Sequence, residues 1–375
     1  MKKYALTMLA GLMAVLAVVA VLFFCTHGTI LPEKVTEYYE LKAKTEAETM
    51  TGAEAELMAL LLGAAPAAPA EEAPQAPALS TSLFSRVLAA FVLVFSLLYI
   101  FRCARKPAEG KGLLWAYILS VPLGLVGTRL LYCLTDIAFY LKDVESPEAM
   151  LKMWEGGLSL MGALAGITLA GVLGAKIAKE KPMQVLNRLA PLMLAFAAMV
   201  ACANVIAGAG WGPEASLPLL NTLVNEQPRL NTALLTALLL IVLWLLLHFF
   251  FRKNHLPSHC RFLYTAFLFG ILMVLMESLR RDGHMVWGFV HAEMLYAMLI
   301  FFPASLALVR KNRRISQVGI TALLAGAVIG LEFMLDRSSV SDMLLYVVYI
   351  FCLAAYIFVT LKWANRSCEA AENNV

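Results

Sequence analysis

The chain has 375 residues, of which 61% are hydrophobic and only 15% charged, with a formal net charge of +4. Soluble domains carry about a quarter charged residues, so a water-soluble globular fold is excluded and a polytopic membrane protein is expected. The small positive charge carries no nucleic-acid signal, because the basic residues sit in short loops between apolar runs, where a membrane accounts for them.

In chain order, ten apolar runs begin near residues 4, 84, 113, 156, 188, 233, 262, 286, 316 and 342. Each is close to the roughly 20 residues that a helix needs to cross a bilayer, so an all-α architecture is expected. The first run follows Met1-Lys2-Lys3 and ends at Phe24. It is longer than a signal-peptide core and lacks a small-x-small cleavage site, which predicts an uncleaved anchor over residues 1–29. Cys25 follows Leu22-Phe23-Phe24, bulky residues where a lipoprotein signal has small ones.

Residues 30–82 form the one extended extramembrane segment. Its first half is rich in Glu, Ala, Leu and Lys, and from Ala64 alanine alternates with proline in the manner of a semi-rigid spacer. A tethering linker is expected. The seven cysteines are scattered, with neither metal-ligand spacing nor a paired framework, and no metal or cofactor is implied.

Loop charge sets the orientation. Lys2 and Lys3, Arg102 to Lys111, Lys176 to Lys181, Arg252 to Arg261, Arg310 to Arg314, and Lys362 with Arg366 fall on one side of successive spans. Basic loops mark the cytoplasmic face, so both termini are expected to be cytoplasmic. The opposite face carries fewer basic residues and more acids, Asp143, Glu145, Glu148, Glu214, Glu226 and Asp282 among them; any active face is expected there, outside the cytoplasm.

The most informative run is Trp154-Glu155-Gly156-Gly157-Leu158-Ser159-Leu160-Met161-Gly162-Ala163-Leu164-Ala165-Gly166. Glycines allow close backbone approach, and small residues four apart let membrane helices touch; helix packing is one reading of this run. Its neighbours suggest another. Together with Gly127-Thr128-Arg129-Leu130 before it, and Asn204, Gly210-Trp211-Gly212 and Glu277-Ser278-Leu279-Arg280 after it, it resembles the bacterial prolipoprotein diacylglyceryl transferases in order and spacing. The resemblance covers residues 84–309.

That resemblance implies a seven-helix core over 84–309, with one extra N-terminal span and two extra C-terminal spans in residues 310–375. It implies a bacterial cytoplasmic-membrane enzyme of lipoprotein biosynthesis that moves a diacylglyceryl group from phosphatidylglycerol, or a related anionic phospholipid, to the lipobox cysteine of a prolipoprotein signal peptide. The site residues it points to on the lipid side are Arg129, Gly156, Gly157, Ser159, Asn204 and Arg280.

The departures from the family pattern are equally specific. The family histidine of the glycine-rich run corresponds to Met161, and two family arginines correspond to Ala201 and Met273. Such a reaction needs a cation for the phosphate, which arginine supplies through its planar fork, and a thiolate nucleophile.

Other ionisable residues embedded near span ends stand as functional candidates. His291, Glu277 and Glu293 are the candidate catalytic groups, with a packing histidine as the plainer reading of His291. Arg129 reads either as a lipid ligand or as part of a buried network with Tyr132 and Asp136. Arg280, Arg281, Asp282 and His284 read as an interfacial charge belt, within which Arg280 is the lipid-side candidate. Three functions are therefore carried forward: a divergent transferase, a catalytically silent homologue that binds phospholipid or a lipoprotein precursor, and a transporter. The last lacks the internal repeat and broken-helix pair common in transporters.

Overall fold

A computed structural model describes residues 2–24, 81–105, 107–135, 137, 140, 150–151, 157–215, 219–224, 227–253, 258–282, 286–287, 290–309, 311–338 and 340–372. The linker over residues 30–82 and the polar residues Trp154, Glu155 and Gly156 lie outside them, apart from the two residues that open the second helix.

The described residues form ten α-helices: α1 Lys2–Phe24, α2 Thr81–Arg105, α3 Pro107–Thr135, α4 Leu160–Ala178, α5 Pro182–Ala207, α6 Thr232–Arg252, α7 Arg261–Ser278, α8 Ala292–Leu308, α9 Arg314–Arg337 and α10 Asp342–Glu372. Each overlaps one of the ten expected runs. Eight are long and apolar enough to cross a membrane, and α2 and α8 contain shorter apolar stretches, Ser85–Phe101 and Ala292–Leu308. The protein is an all-α, multi-pass membrane protein. Leu323 and Phe351, 77% and 73% exposed, illustrate the apolar outer surface that only lipid would cover.

The strands were not foreseen, because segments of two to five residues carry too little periodicity to read. They lie in connections at one end of the bundle: β1 Trp211–Glu214, β2 Asn221–Val224 and β3 Gln227–Asn231 between α5 and α6, and β4 Val286–Trp287 with β5 Val290–His291 before α8. The first three form an antiparallel sheet in the order β1-β3-β2, and the last two form an antiparallel pair. Asn231 ends β3 and caps α6, its side-chain oxygen accepting from Leu234 N at 2.8 Å. The strand-bearing end therefore gathers the C-termini of α5 and α7 with the N-termini of α6 and α8.

α3 and α4 make the most extensive helix pairing, and glycine is the reason. A Cβ on Gly162 would strike the Gly127 carbonyl oxygen, and one on Gly127 would lie 2.5 Å from the Gly162 carbonyl oxygen. The two backbones touch without side chains between them, as small residues permit in membranes. Just beyond this contact, at the same end of the pair, Thr128 of α3 bonds Ser159 before α4.

α9 and α10 are pinned to the body through a buried phenol. Tyr356 of α10 donates to Ser305 Oγ on α8 at 3.1 Å, accepts from Gln317 Nε2 on α9 at 3.1 Å, and shares a hydrogen bond with Thr321 at 2.7 Å. Inside hydrocarbon, unsatisfied polar groups are costly, so this cluster fixes the register of both appended helices on α8.

Candidate functional site

Ser159 begins the site because its position at the start of α4 turns its hydroxyl inward. It occupies the N-cap with extended backbone, and its side chain accepts from Gly162 N at 3.2 Å. Completely buried, it also donates to Glu293 Oε1 on α8 at 2.5 Å. A reciprocal clasp ties its backbone to α3: Ser159 N donates to Thr128 O at 3.2 Å, and Thr128 Oγ1 donates to Ser159 O at 2.6 Å.

Arg129 follows Thr128 and is 5% exposed. Its Nε donates to Met150 O at 2.8 Å and its terminal nitrogen to Gly157 O at 3.2 Å. The guanidinium lies 5.7 Å from the Tyr132 ring and 5.5 Å from the Tyr140 ring, distances at which aromatic faces attract a cation. Gly157 has φ +74°, and a Cβ there would collide with the Tyr132 ring. Glycine alone serves both the left-handed backbone and the close ring, and so aims the Gly157 carbonyl at Arg129. Asp136, the other partner expected from sequence, lies outside the described residues.

The carboxylates come from α7 and α8. Glu293 is 3% and Glu277 4% exposed, and Glu277 and Arg280 lie within electrostatic reach of Glu293. Arg280 donates to Glu277 Oε1 and Oε2 at 3.3 and 3.2 Å, and to Asp282 Oδ1 and Oδ2 at 3.2 and 2.6 Å. Asp282 Oδ2 in turn accepts from Gly210 N at 3.1 Å. Burial works against the charge on Arg280, but Asp282 and Glu277 outweigh it and hold the guanidinium above its ordinary pKa. In place of an exposed charge belt, Arg280 sits in a partly buried clamp between two carboxylates, with all three of its nitrogens engaged inside the chain. Glu293 differs: its hydrogen-bonding neighbours are the Ser159 hydroxyl and the Met161 backbone at the start of α4.

Arg129, Gly157, Ser159, Glu277, Glu293 and Arg280 thus gather at the strand-bearing end. His291 is buried there too, 5% exposed; it pairs with Val286 across β4 and β5 and stands at the N-cap of α8 without a side-chain cap bond. Asn204 is half-buried near the end of α5, its carbonyl accepting from Ala209 N at 2.9 Å. Gly156 and His284 lie outside the described residues. Thr128, Gly210 and Asp282 are added by the structure; each lay within a motif, yet only the fold shows the bonds they make.

Met161, Ala201 and Met273 are 1%, 5% and 3% exposed and belong to one hydrophobic cluster. The positions that correspond to charged and basic groups in the resemblance are here part of apolar packing. An apolar cavity of about 190 Å³ runs from Thr128 and Leu158 down to Tyr99 and Leu189, with Ala17, Ala20 and Val21 of α1 on its wall.

A family model described as prolipoprotein diacylglyceryl transferase matches residues 62–310. Among similar proteins, a phosphatidylglycerol–prolipoprotein diacylglyceryl transferase of Listeria welshimeri is 22% identical over 248 residues, 63% of this chain and 88% of the relative. One of Burkholderia ambifaria is 34% identical over 157 residues, 40% of this chain and 52% of the relative. One of Paenarthrobacter aurescens is 32% identical over 126 residues, 33% and 38% of the two chains. The matched stretch contains α2 to α8 and the whole constellation of Arg129, Ser159, Glu277, Arg280 and Glu293, and the chain belongs to the prolipoprotein diacylglyceryl transferase family.

Proposed function

We propose that this chain transfers the diacylglyceryl group of phosphatidylglycerol to the lipobox cysteine of prolipoproteins, at the extracytoplasmic face of the bacterial cytoplasmic membrane. The observation that carries the reading is the buried Glu293 carboxyl, one oxygen fixed by Ser159 Oγ at 2.5 Å at the start of α4, beside the Met161 backbone. Such a group is placed to take a proton. In the proposed step the cysteine thiol gives its proton to Glu293, its sulfur forms a bond to the terminal glycerol carbon of the lipid, and the carbon–oxygen bond to phosphate breaks, releasing glycerol phosphate. Arg129 supplies positive charge to the departing phosphate. Arg280, clamped by Glu277 and Asp282, is a positioning residue, and the apolar cavity below Thr128 accepts an acyl chain.

A second reading rests on Met161, Ala201 and Met273. Their burial in one apolar cluster favours a homologue that binds phospholipid or a lipoprotein precursor without transfer. The experiment is the same for both. Purified protein is given phosphatidylglycerol and a lipobox peptide, and the peptide mass is followed. Addition of a diacylglyceryl group, lost by about 10²–10⁴-fold in Glu293→Gln as removal of a general base predicts, supports transfer. Folded protein that retains phosphatidylglycerol but leaves the peptide unchanged supports the second reading.

A further inference from the structure

At the end of the bundle away from the strands, α2, α3, α5, α6 and α7 surround a larger cavity of about 640 Å³. It is separate from the Glu293 site. Phe95, Tyr99 and Leu192 line both this cavity and the smaller one, and they act as a partition. Tyr99 donates to Leu113 O at 2.6 Å and Tyr117 to Ser96 Oγ at 2.7 Å, which holds the partition in place.

The lining joins two chemistries. Arg188, Arg252 and Arg261 enter it from α5, α6 and α7, while Tyr99, Leu192 and Leu247 are among its apolar walls. Arg188 pairs with Glu180 at 3.1 Å. Arg252 and Arg261 add two further guanidinium groups to the lining. The Arg261 guanidinium is held 4.9 Å from the Phe251 ring. Trp244 of α6 donates to Pro191 O of α5 at 3.1 Å, bracing the wall between the two helices.

We propose that this cavity binds an anionic phospholipid, its phosphate between Arg252 and Arg261 and its glycerol and acyl portion against the Tyr99–Leu247 wall. Basic pockets between membrane helices suit such headgroups. A free phosphate ion would need neither the apolar wall nor the space, since about 10–15 Å³ of such volume already holds a water. The inference does not rest on the transfer reading, because it concerns other residues at the other end of the bundle.

The test is native mass spectrometry of the full-length protein, delipidated in detergent and titrated with phosphatidylglycerol or phosphatidylcholine. It is done in an Arg129→Ala background to remove the lipid contribution of the strand-bearing end. Phosphatidylglycerol is expected to be retained over phosphatidylcholine. Arg252→Gln is expected to weaken that retention about fivefold, the size of one arginine's attraction for anionic lipid. Ala195→Trp fills the cavity without changing charge and is expected to weaken it at least as much. Millimolar inorganic phosphate should leave retention unchanged. Equal retention of the two lipids, full retention by both variants, or displacement by inorganic phosphate would overturn the proposal. Thermal midpoints identify a misfolded variant, and Arg252, exposed at the rim, provides the milder substitution.

Discussion

Ser159 and Glu293 are 134 positions apart, yet Ser159 Oγ and Glu293 Oε1 are 2.5 Å apart and both residues are buried. The bond ties the start of α4 to the first turn of α8. A hydrogen bond to a charged group contributes about 1.5–3 kcal/mol, and residues so joined do not act additively. In a thermal-unfolding cycle, Ser159→Ala and Glu293→Gln are each expected to destabilise. The double variant should be more stable than the sum of the two effects implies. Simple additivity would show that the two side chains act separately.

Arg129 is buried against Tyr132 and Tyr140, whereas Arg337 is 56% exposed beside Asp336. A cation held inside a membrane bundle is a candidate ligand site, and a surface one contributes little. Arg129→Ala should therefore reduce phosphatidylglycerol retention more than Arg337→Ala does, measured by thermal-shift titration with lipid. Matching retention, with stability unchanged, would make Arg129 structural only.

The crossing of α3 and α4 leaves no room at Gly162, while a Cβ at Gly326 of α9 would meet nothing within 4 Å. Gly162→Ala is expected to cost about 1–3 kcal/mol through overpacking and to lower the thermal midpoint clearly. Gly326→Ala should leave it unchanged or raise it slightly, since alanine favours helix. A comparable drop in both would mean that helix packing does not depend on the Gly127–Gly162 contact.

If the two shorter helices also span, the basic loops of ten spans are expected to put the linker and the tail on opposite faces. A cysteine reporter between residues 40 and 75 should react with an impermeant reagent from outside intact cells. One after residue 366 should react only after permeabilisation. Labelling of both from the same side would remove an odd number of spans from the arrangement.

The membrane class and the helices were legible in the chain by itself, because ten runs of apolar residues have few alternatives in hydrocarbon. Gly157 and Ser159 were legible as candidates for a similar reason: clustered glycines and a hydroxyl interrupt an apolar run. Glu293, Glu277 and Arg129 stood out because ionisable groups are rare inside spans. The small strands were not legible, being too short for a period to develop. Nor were the partnerships. Arg280 in a string of charges reads as a surface belt, and only the fold closes Asp282 and Glu277 around it and attaches Asp282 to Gly210. The basic cavity is the clearest case, since Arg188, Arg252 and Arg261 belong to three different helices. Sequence fixes which side chains each helix carries, but the meeting of distant side chains depends on how helices cross. For α3 and α4 the crossing is set by backbone contact at Gly127 and Gly162; the small residues were legible in the chain, but which glycine meets which is a three-dimensional relation.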